Sequence, residues 1–369
     1  MTEMGDLPPG GPSWIYDTGS DYWTNYENGP RRLTEKERRD SENLKSDIDE
    51  LKKSGADISV ELFGKRSDSV VGIPAGVAAN SKWINFYSQA GYDILTLKTV
   101  RDSYWEGWPL PNVINVSGDF AGGFSFSKDF TGTITNTFGI GSPDPEKWVE
   151  DVKENIIKNL PKGKVFKISV IPHPKHKTRE DFVGQFANLS AIVKETGADC
   201  VEYDLSCPNL SSSEGDVYAD PKLTREIVES ARTVVGKYPI LIKVGYLDNF
   251  GHLTEAVGNI VDGIVAINAM PAVVKDGGGP MFPERGGKAG VCGEALREMG
   301  LNAVGQLHSL RQKSGYKYSL TGVGGISGQN DAIRYLDAGA DAIEIGTAAM
   351  LNPLLALSIK KALMERCEK

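Results

Sequence analysis

The feature that most constrains the fold is an alternation of short apolar segments and longer amphipathic segments, which begins near residue 59 and continues towards the end of the chain. Short apolar segments that end in polar or glycine-rich residues are typical of buried parallel strands. Eight segments fit this description: SVVGIPAG, YDILTLKTV, VFKISVI, CVEYDLSC, PILIKVG, GIVAINAM, YSLTGVGG and AIEIGTA. Helical stretches lie between most of them: DPEKWVEDVKENIIKNL, DPKLTREIVESARTVVG, GEALREMGLNAVGQLHSLRQKSG and QNDAIRYLDAGA.

Eight such units over about 300 residues predict an α/β fold, the (β/α)₈ barrel, with a doubly wound open sheet as the alternative. In a barrel of this kind the active site lies at the C-terminal ends of the strands. The polar and glycine-rich residues that end the predicted strands are therefore expected to meet at one mouth. They are Lys98-Thr99, Asp204 to Asn209, Lys243, Asn268, Gly324-Gly325 and Gly346-Thr347.

Residues 1–58 lack this alternation, and we predict that they form an N-terminal extension of a barrel domain at residues 59–369. The five aromatic side chains of WIYDTGSDYWTNY are expected to pack on the barrel or on a second subunit. In the charged stretch that follows, Thr34 and Glu37 predict a capped helix start, and Gly55 predicts its end. A narrow apolar stripe on this helix indicates docking onto the same chain, and it consists of Leu44, Ile48 and Leu51.

Composition excludes several classes of function. The net charge of −8 offers no basic surface for nucleic acid. The N-terminus does not resemble a signal peptide, and the chain has no run of about 18 apolar residues, so no membrane attachment is expected. The four cysteines form no C-x-x-C pair, which predicts neither a disulfide framework nor a metal or iron–sulfur site. We therefore expect a small-molecule partner and a reducing, cytoplasmic setting.

Two late predicted strands end in GVGGIS and EIGTAAM, and each is followed by a helix. Glycines let backbone N–H groups approach a phosphate closely, and the dipole of the following helix favours negative charge. Tight turns without a ligand are the alternative, but phosphate sites after the seventh and eighth strands recur in this fold. A third loop, ERGGKAGVCGEAL, offers further amides, and its Cys292 is interpreted as a small apolar filler.

Two lysines at strand ends, Lys98 and Lys243, lie in otherwise apolar surroundings. An ammonium group in a barrel mouth loses hydration unless it faces an anion or an electron-rich group such as a reduced flavin. Either lysine alone could lie on the surface. Both together, with Asn136, Asn209 and Asn268, indicate a polar ligand pocket.

The motifs PAGV, LTLKT, NTFGIG, LSCPN, IKV, INA, GGKAG, TGVGGI and IGTA resemble, in order and spacing, those of the dihydroorotate dehydrogenases. These are FMN-dependent (β/α)₈ barrels that oxidise dihydroorotate to orotate. The resemblance covers about residues 58–358, and L-S-C-P-N with downstream G-G-I and I-G-T is a specific combination. Cys207 resembles the soluble branch, which uses cysteine as catalytic base where the membrane-associated branch uses serine. The resembling soluble enzymes are commonly dimers, so a homodimer is implied.

The resemblance also implies roles for individual residues. Cys207 would be the catalytic base, and Lys243 would act beside the flavin N1 edge. The FMN-binding residues would be Ala75, Gly76, Lys98, Thr99, Ser169, Lys243, Asn268, Gly290, Gly324, Gly325, Gly346 and Thr347, the last four and Gly290 at the phosphate. The substrate would contact Lys98, Asn136, Gly139, Ile140, Asp204, Asn209, Asn268 and Ala269.

The chemistry explains why a cysteine suits this position. Oxidation of a C–C bond next to a carbonyl needs a base for the α proton while hydride leaves the β carbon for flavin N5. A thiol, with an unperturbed pKa of about 8.5, can exchange protons near neutrality. A lone cysteine is more often a buried filler, but Pro208 and the matched motifs favour the base here.

Two positions depart from the family pattern: Asp204 stands where the family has Asn, and Ala269 where it has Ser or Thr. We therefore predict an intact FMN site and an altered substrate site. The predicted enzyme interconverts CH–CH and C=C bonds next to a carbonyl in a dihydropyrimidine-like ring or related cyclic amide. The alternatives are a genuine dihydroorotate dehydrogenase, a tRNA dihydrouridine synthase, which the acidic charge disfavours, and a non-catalytic flavin-binding barrel. The sequence does not identify the electron acceptor.

Overall fold

The structure, a computed structural model, describes residues 14–174, 178–206, 216–283 and 286–367. Its strands are β1 (Val60–Leu62), β2 (Lys65–Ser67), β3 (Val71–Ile73), β4 (Ile94–Val100), β5 (Val113–Asp119), β6 (Gly123–Phe126), β7 (Thr133–Asn136), β8 (Val165–Val170), β9 (Cys200–Asp204), β10 (Ile240–Val244), β11 (Gly263–Ala266), β12 (Met270–Asp276), β13 (Gly279–Pro280), β14 (Lys288–Gly293), β15 (Ser319–Val323) and β16 (Ala342–Glu344). Its helices are α1 (Tyr22–Asn28), α2 (Glu35–Lys53), α3 (Ser81–Gln89), α4 (Pro145–Asp151), α5 (Arg179–Thr196), α6 (Pro221–Val235), α7 (Gly251–Val257), α8 (Arg297–Ser314), α9 (Gln329–Asp337), α10 (Thr347–Leu351) and α11 (Leu355–Cys367).

A closed barrel of eight parallel strands forms within these described ranges, in the order β3, β4, β8, β9, β10, β11, β15 and β16. Each strand falls in one of the eight predicted apolar segments, so the predicted (β/α)₈ fold is confirmed over the open sheet. In the strand register, Lys243 on β10 lies beside Asp204 on β9 and Val265 on β11. Because all eight strands run in the same direction, their polar C-terminal ends gather at one mouth.

The barrel interior contains charged residues in strands that are buried along their whole length. Lys167 on β8 lies 2.7 Å from a carboxylate oxygen of Glu202 on β9 and 2.6 Å from one of Glu344 on β16. Burial raises the pKa of Glu344, and the Lys167 ammonium opposes this rise. We call these three side chains the interior ion cluster.

A second sheet, which the sequence analysis did not predict, lies at the barrel mouth. Its order is β13, β12, β14, β7, β5 and β6, and β12 also pairs with β6. Strands β5 to β7 follow barrel strand β4, and strands β12 to β14 follow barrel strand β11. Both insertions therefore leave the barrel at C-terminal strand ends, and their pairing places Asn136 opposite Gly290.

The charged N-terminal helix forms as predicted. The Thr34 hydroxyl accepts a hydrogen bond from the Glu37 N–H at 3.2 Å, and the Glu37 carboxylate accepts one from the Thr34 N–H at 2.7 Å. Helix α2 ends at Lys53, two residues before Gly55. Its predicted apolar stripe docks on the same chain, since Ile48 is buried in the main apolar core.

That core also contains Ile15 and Tyr22 of the aromatic-rich stretch together with barrel residues. The aromatic stretch therefore packs on the barrel, one of the two outcomes expected for it. The boundary between residues 58 and 59 stays a prediction. Among the described helices, none is both long and apolar enough to cross a membrane.

Candidate active site

A cavity of about 370 Å³ lies at the C-terminal mouth of the barrel. Strand ends and the second sheet contribute to its wall, so residues from distant parts of the chain converge on it. Of the residues predicted to bind cofactor or substrate, the wall contains Ala75, Gly76, Lys98, Thr99, Asn136, Gly139, Ile140, Asp204, Lys243, Asn268, Ala269, Gly324, Gly325, Gly346 and Thr347.

Two other predicted site residues that the structure describes, Ser169 and Gly290, are not on the wall. Ser169 is buried in β8, and its hydroxyl lies 3.1 Å from that of Thr99, which lines the cavity. Gly290 lies inside strand β14. Cys207 and Asn209 lie outside the described residues, and their roles stay predictions.

Asp204 is the centre of a hydrogen-bond network on the cavity wall. The Thr99 hydroxyl donates to its Oδ2 at 3.1 Å, and Asn268 Nδ2 donates to its Oδ1 at 3.0 Å. Burial raises the pKa of this carboxyl, while the Lys243 ammonium and the Thr99 hydroxyl act to lower it. Asp204 therefore orients two other wall residues and is not only a potential ligand contact.

The same network determines which groups Asn268 can offer to a ligand. Its Nδ2 also donates to the Ser206 carbonyl oxygen at 3.4 Å, and its Oδ1 accepts from the Ala269 N–H at 2.8 Å. Both ends of the amide are thus engaged within the protein. The Asn268 Oδ1 still has a second lone pair that can accept a hydrogen bond from a ligand.

The cavity wall carries two buried lysines, Lys98 and Lys243, each 5% exposed. The Lys98 ammonium lies 5.1 Å from the centre of the Tyr22 ring and 5.7 Å from that of Phe138. In the part of the chain that the structure describes, no hydrogen bond or ion pair joins the Lys243 ammonium to another residue. A buried ammonium without a direct hydrogen bond or ion pair is costly, so this position favours an anionic or electron-rich ligand.

The glycine turn after β15 has a backbone that favours glycine. Gly324 has φ +123° and Gly325 has φ +69°, both in the left-handed region. A Cβ at Gly325 would lie 2.8 Å from the backbone nitrogen of Arg297 at the start of α8. Gly325 is therefore required by packing within the protein, in addition to any phosphate that its turn approaches.

Comparison with known proteins identifies the family. Residues 57–367 match the family model described as Dihydroorotate dehydrogenase. The chain belongs to the dihydroorotate dehydrogenase family. Its members are oxidoreductases that act on CH–CH groups, as the sequence predicted for this chain.

Individual relatives match most of the chain. The dihydroorotate dehydrogenase of Dictyostelium discoideum is 29% identical over 371 residues, which cover 93% of this chain and 95% of the relative. The catalytic subunit of dihydroorotate dehydrogenase B (NAD(+)) from Thermoplasma volcanium is 26% identical over 300 residues, 79% of this chain and 87% of the relative. The fold also matches the crystal structure of Eimeria tenella DHODH in complex with ferulenol, with a TM-score of 0.68, 17% identity and coverage of 85% and 86%.

Two wall residues of this dihydroorotate dehydrogenase family member have surroundings that only the structure explains. Glu344 belongs to the interior ion cluster, and one of its oxygens has no hydrogen-bond partner among the described residues. A charged residue inside the apolar segment AIEIGTA was the available sequence signal.

Cys292 accepts a hydrogen bond from the Thr347 hydroxyl at 3.5 Å, and loss of hydration raises the pKa of the Cys292 thiol to about 11. This protonated thiol agrees with the interpretation of Cys292 as an unreactive filler.

Proposed function

We propose that this dihydroorotate dehydrogenase family member binds FMN in the barrel cavity. With it, the enzyme interconverts CH–CH and C=C bonds next to a carbonyl in a dihydropyrimidine-like ring or related cyclic amide. The observation that carries the proposal is the buried Lys243 ammonium, which forms no hydrogen bond or ion pair with a described residue and lines the same cavity as the glycine turns.

The donor set fits FMN. Lys243 would face the N1 edge of the ring system, where negative charge develops on reduction. Gly324, Gly325, Gly346 and Thr347 would hold the phosphate with their backbone and hydroxyl donors. Ala75, Gly76, Lys98 and Thr99 would contact the flat ring. When bound, FMN supplies an acceptor for the hydride of the substrate.

Proton transfer is assigned to Cys207. Ser206 directly precedes it, and the Ser206 carbonyl oxygen accepts a hydrogen bond from Asn268 on the cavity wall. The residue before the proposed base is thus hydrogen-bonded to a residue of the cavity wall. As base, the thiolate takes the α proton of the substrate, and as acid the thiol returns it in the reverse direction.

Asp204 and Ala269 are proposed to determine which ring is accepted. An ionised Asp204 can only accept hydrogen bonds, so it favours a ring with a donor at that position. The carboxylate of dihydroorotate would bring a second negative charge into surroundings of reduced dielectric. Ala269 offers no hydroxyl to a polar ring atom. We therefore propose a neutral or amine-bearing ring as substrate.

A genuine dihydroorotate dehydrogenase is the second candidate, because the names of the relatives support it. It requires that Asp204 be neutral in the closed site, and burial does raise the pKa of this carboxyl. The homodimer, the cytoplasmic location and the identity of the electron acceptor stay predictions.

The proposal is tested by purifying the protein and titrating it anaerobically with neutral dihydropyrimidines and with dihydroorotate. We expect a yellow protein with non-covalent FMN, whose flavin absorbance is bleached faster by neutral dihydropyrimidines than by dihydroorotate. Efficient bleaching by dihydroorotate would favour the second candidate. A colourless protein that takes up no FMN would refute both candidates.

A further inference from the structure

The N-terminal segment, residues 14–31, forms part of the surroundings of the cavity. The Ile15 N–H donates to the carbonyl oxygen of Met350 at 2.9 Å, and the Trp14 ring contacts the Phe130 ring at 5.7 Å between centres. Met350 and Phe130 both line the cavity. The segment therefore contacts the ligand cavity wall at two separate places.

Helix α1 within this segment is fixed to the barrel by polar contacts. Asn25 closes the preceding turn, donating to the Asp17 carbonyl oxygen and accepting from the Asp17 N–H, both at 2.9 Å. From helix α3 and its cap, Trp83 Nε1 donates to the Asn25 carbonyl oxygen at 3.3 Å, and Asn80 Nδ2 donates to that of Tyr26 at 2.7 Å. These bonds determine where the side chains of α1 lie relative to the barrel.

Tyr22, the first residue of α1, meets the cavity lysine. Its ring is 4% exposed and lies 5.1 Å from the Lys98 ammonium and 5.8 Å from the Phe138 ring. Phe138 is itself 5.7 Å from the same ammonium. Two aromatic rings within about 6 Å of a cation give a cation–π arrangement that strengthens when the groups are desolvated.

Little space is left for Lys98 to move on this side. The void between the segment and the cavity wall has a volume of about 10 Å³, no more than one water molecule needs. Its lining includes Tyr16, Tyr22, Tyr26, Lys98 and Phe138. The aromatic side chains of the segment therefore limit where the ammonium can lie.

We propose that Tyr22 is a positioning residue that, with Phe138, holds the Lys98 ammonium at the cavity wall. The N-terminal segment thereby determines how tightly the cavity binds its flat ligand. The identity of that ligand as FMN rests on the proposed function. The aromatic contact itself does not.

The test is a double-mutant cycle on FMN binding to the full-length apoprotein, followed by flavin fluorescence. Tyr22→Leu is expected to raise the Kd by about two- to thirtyfold, the range for loss of a cation–π contact, and Tyr22→Phe to leave it within about twofold. In a Lys98→Met background, Tyr22→Leu should have no further effect. Tyr22→Phe, which keeps the aromatic ring, is therefore the matched control for Tyr22→Leu.

An equal effect of Tyr22→Leu with and without the Lys98 ammonium would overturn the proposal, since the ring would then contribute only packing. A second measurement needs no FMN: the rate of acylation of Lys98 in the apoprotein, followed by peptide mass spectrometry. Faster acylation in Tyr22→Leu, but not in Tyr22→Phe, supports the proposal even if the protein binds no FMN. An unchanged rate in Tyr22→Leu contradicts it.

Discussion

Two buried lysines on the barrel strands have opposite surroundings. Lys167 on β8 is 1% exposed and lies between Glu202 and Glu344, at 2.7 Å and 2.6 Å from their carboxylates. Lys243 on β10 is 5% exposed, lines the cavity and has no ion-pair partner among the described residues. The same side chain is thus held within the protein at one place and directed to a ligand cavity at the other.

The different surroundings of Lys167 and Lys243 predict different roles, the first in the stability of the fold and the second in ligand binding. Removing one partner of a buried ion pair leaves an uncompensated charge, so loss of Lys167 is expected to destabilise the fold. A buried ammonium that forms no direct ion pair with a described residue is typical of functional sites. Changes at Lys243 should therefore alter chemistry, whereas changes at Lys167 should alter stability.

The largest effect is expected from the proposed base. Cys207→Ala should slow flavin reduction by roughly 10²- to 10⁴-fold, the usual loss for a general base, because the α proton loses its proposed acceptor. FMN content and melting temperature should not change. Stopped-flow absorbance at the flavin band gives the rate, and Cys207→Ser should recover activity at high pH. A normal rate in Cys207→Ala would show that the thiol is only a packing residue.

The next effect is on stability and tests the two lysines directly. Lys167→Met should lower the free energy of unfolding by about 3–5 kcal/mol, because two buried carboxylates lose their shared cation. Lys243→Met is the matched control, and it should cost far less stability while weakening FMN binding. Urea denaturation measures the first quantity and flavin fluorescence the second. Equal destabilisation by both changes would remove the distinction between the mouth and the interior.

A smaller effect is expected from restoring the family pattern at the mouth. The double change Asp204→Asn with Ala269→Ser should speed flavin reduction by dihydroorotate tenfold or more, if about 1.4 kcal/mol is recovered. The unmodified protein should turn over this substrate weakly. Efficient turnover without the double change would identify the chain as an ordinary dihydroorotate dehydrogenase.

The smallest effect concerns pH and the interior ion cluster. Burial raises the pKa of Glu344 above its usual 4.5, so the folded state holds its proton at pH values where the unfolded chain has lost it. This contribution to stability is complete below pH 4.5 and is lost as the pH rises through the folded pKa. Glu344→Gln should therefore flatten the dependence of the urea midpoint on pH above pH 4.5. An unchanged slope would show that Glu344 is ionised throughout.

Local signals in the sequence predicted much of the architecture. Apolar segments with polar ends predicted all eight barrel strands, and Thr34 with Glu37 predicted the start of α2. Of the strands in the second sheet, which were missed, β5, β6 and β12 are partly exposed, whereas β7 and β14 are mostly buried but rich in small and polar residues. They find partners only in each other, through pairs distant in sequence such as Asn136 and Gly290.

The sequence by itself determined the family, the barrel and the set of polar residues that face its mouth, because periodicity, caps and motifs are short-range properties. Only the tertiary structure decided how the charges are paired. Strand register and barrel closure bring Lys167 to two carboxylates and leave Lys243 beside the cavity. The packing of α1 likewise brings Tyr22 to Lys98. The energy of a buried charge depends on neighbours within a few ångströms, and in a barrel those neighbours come from strands far apart in the sequence.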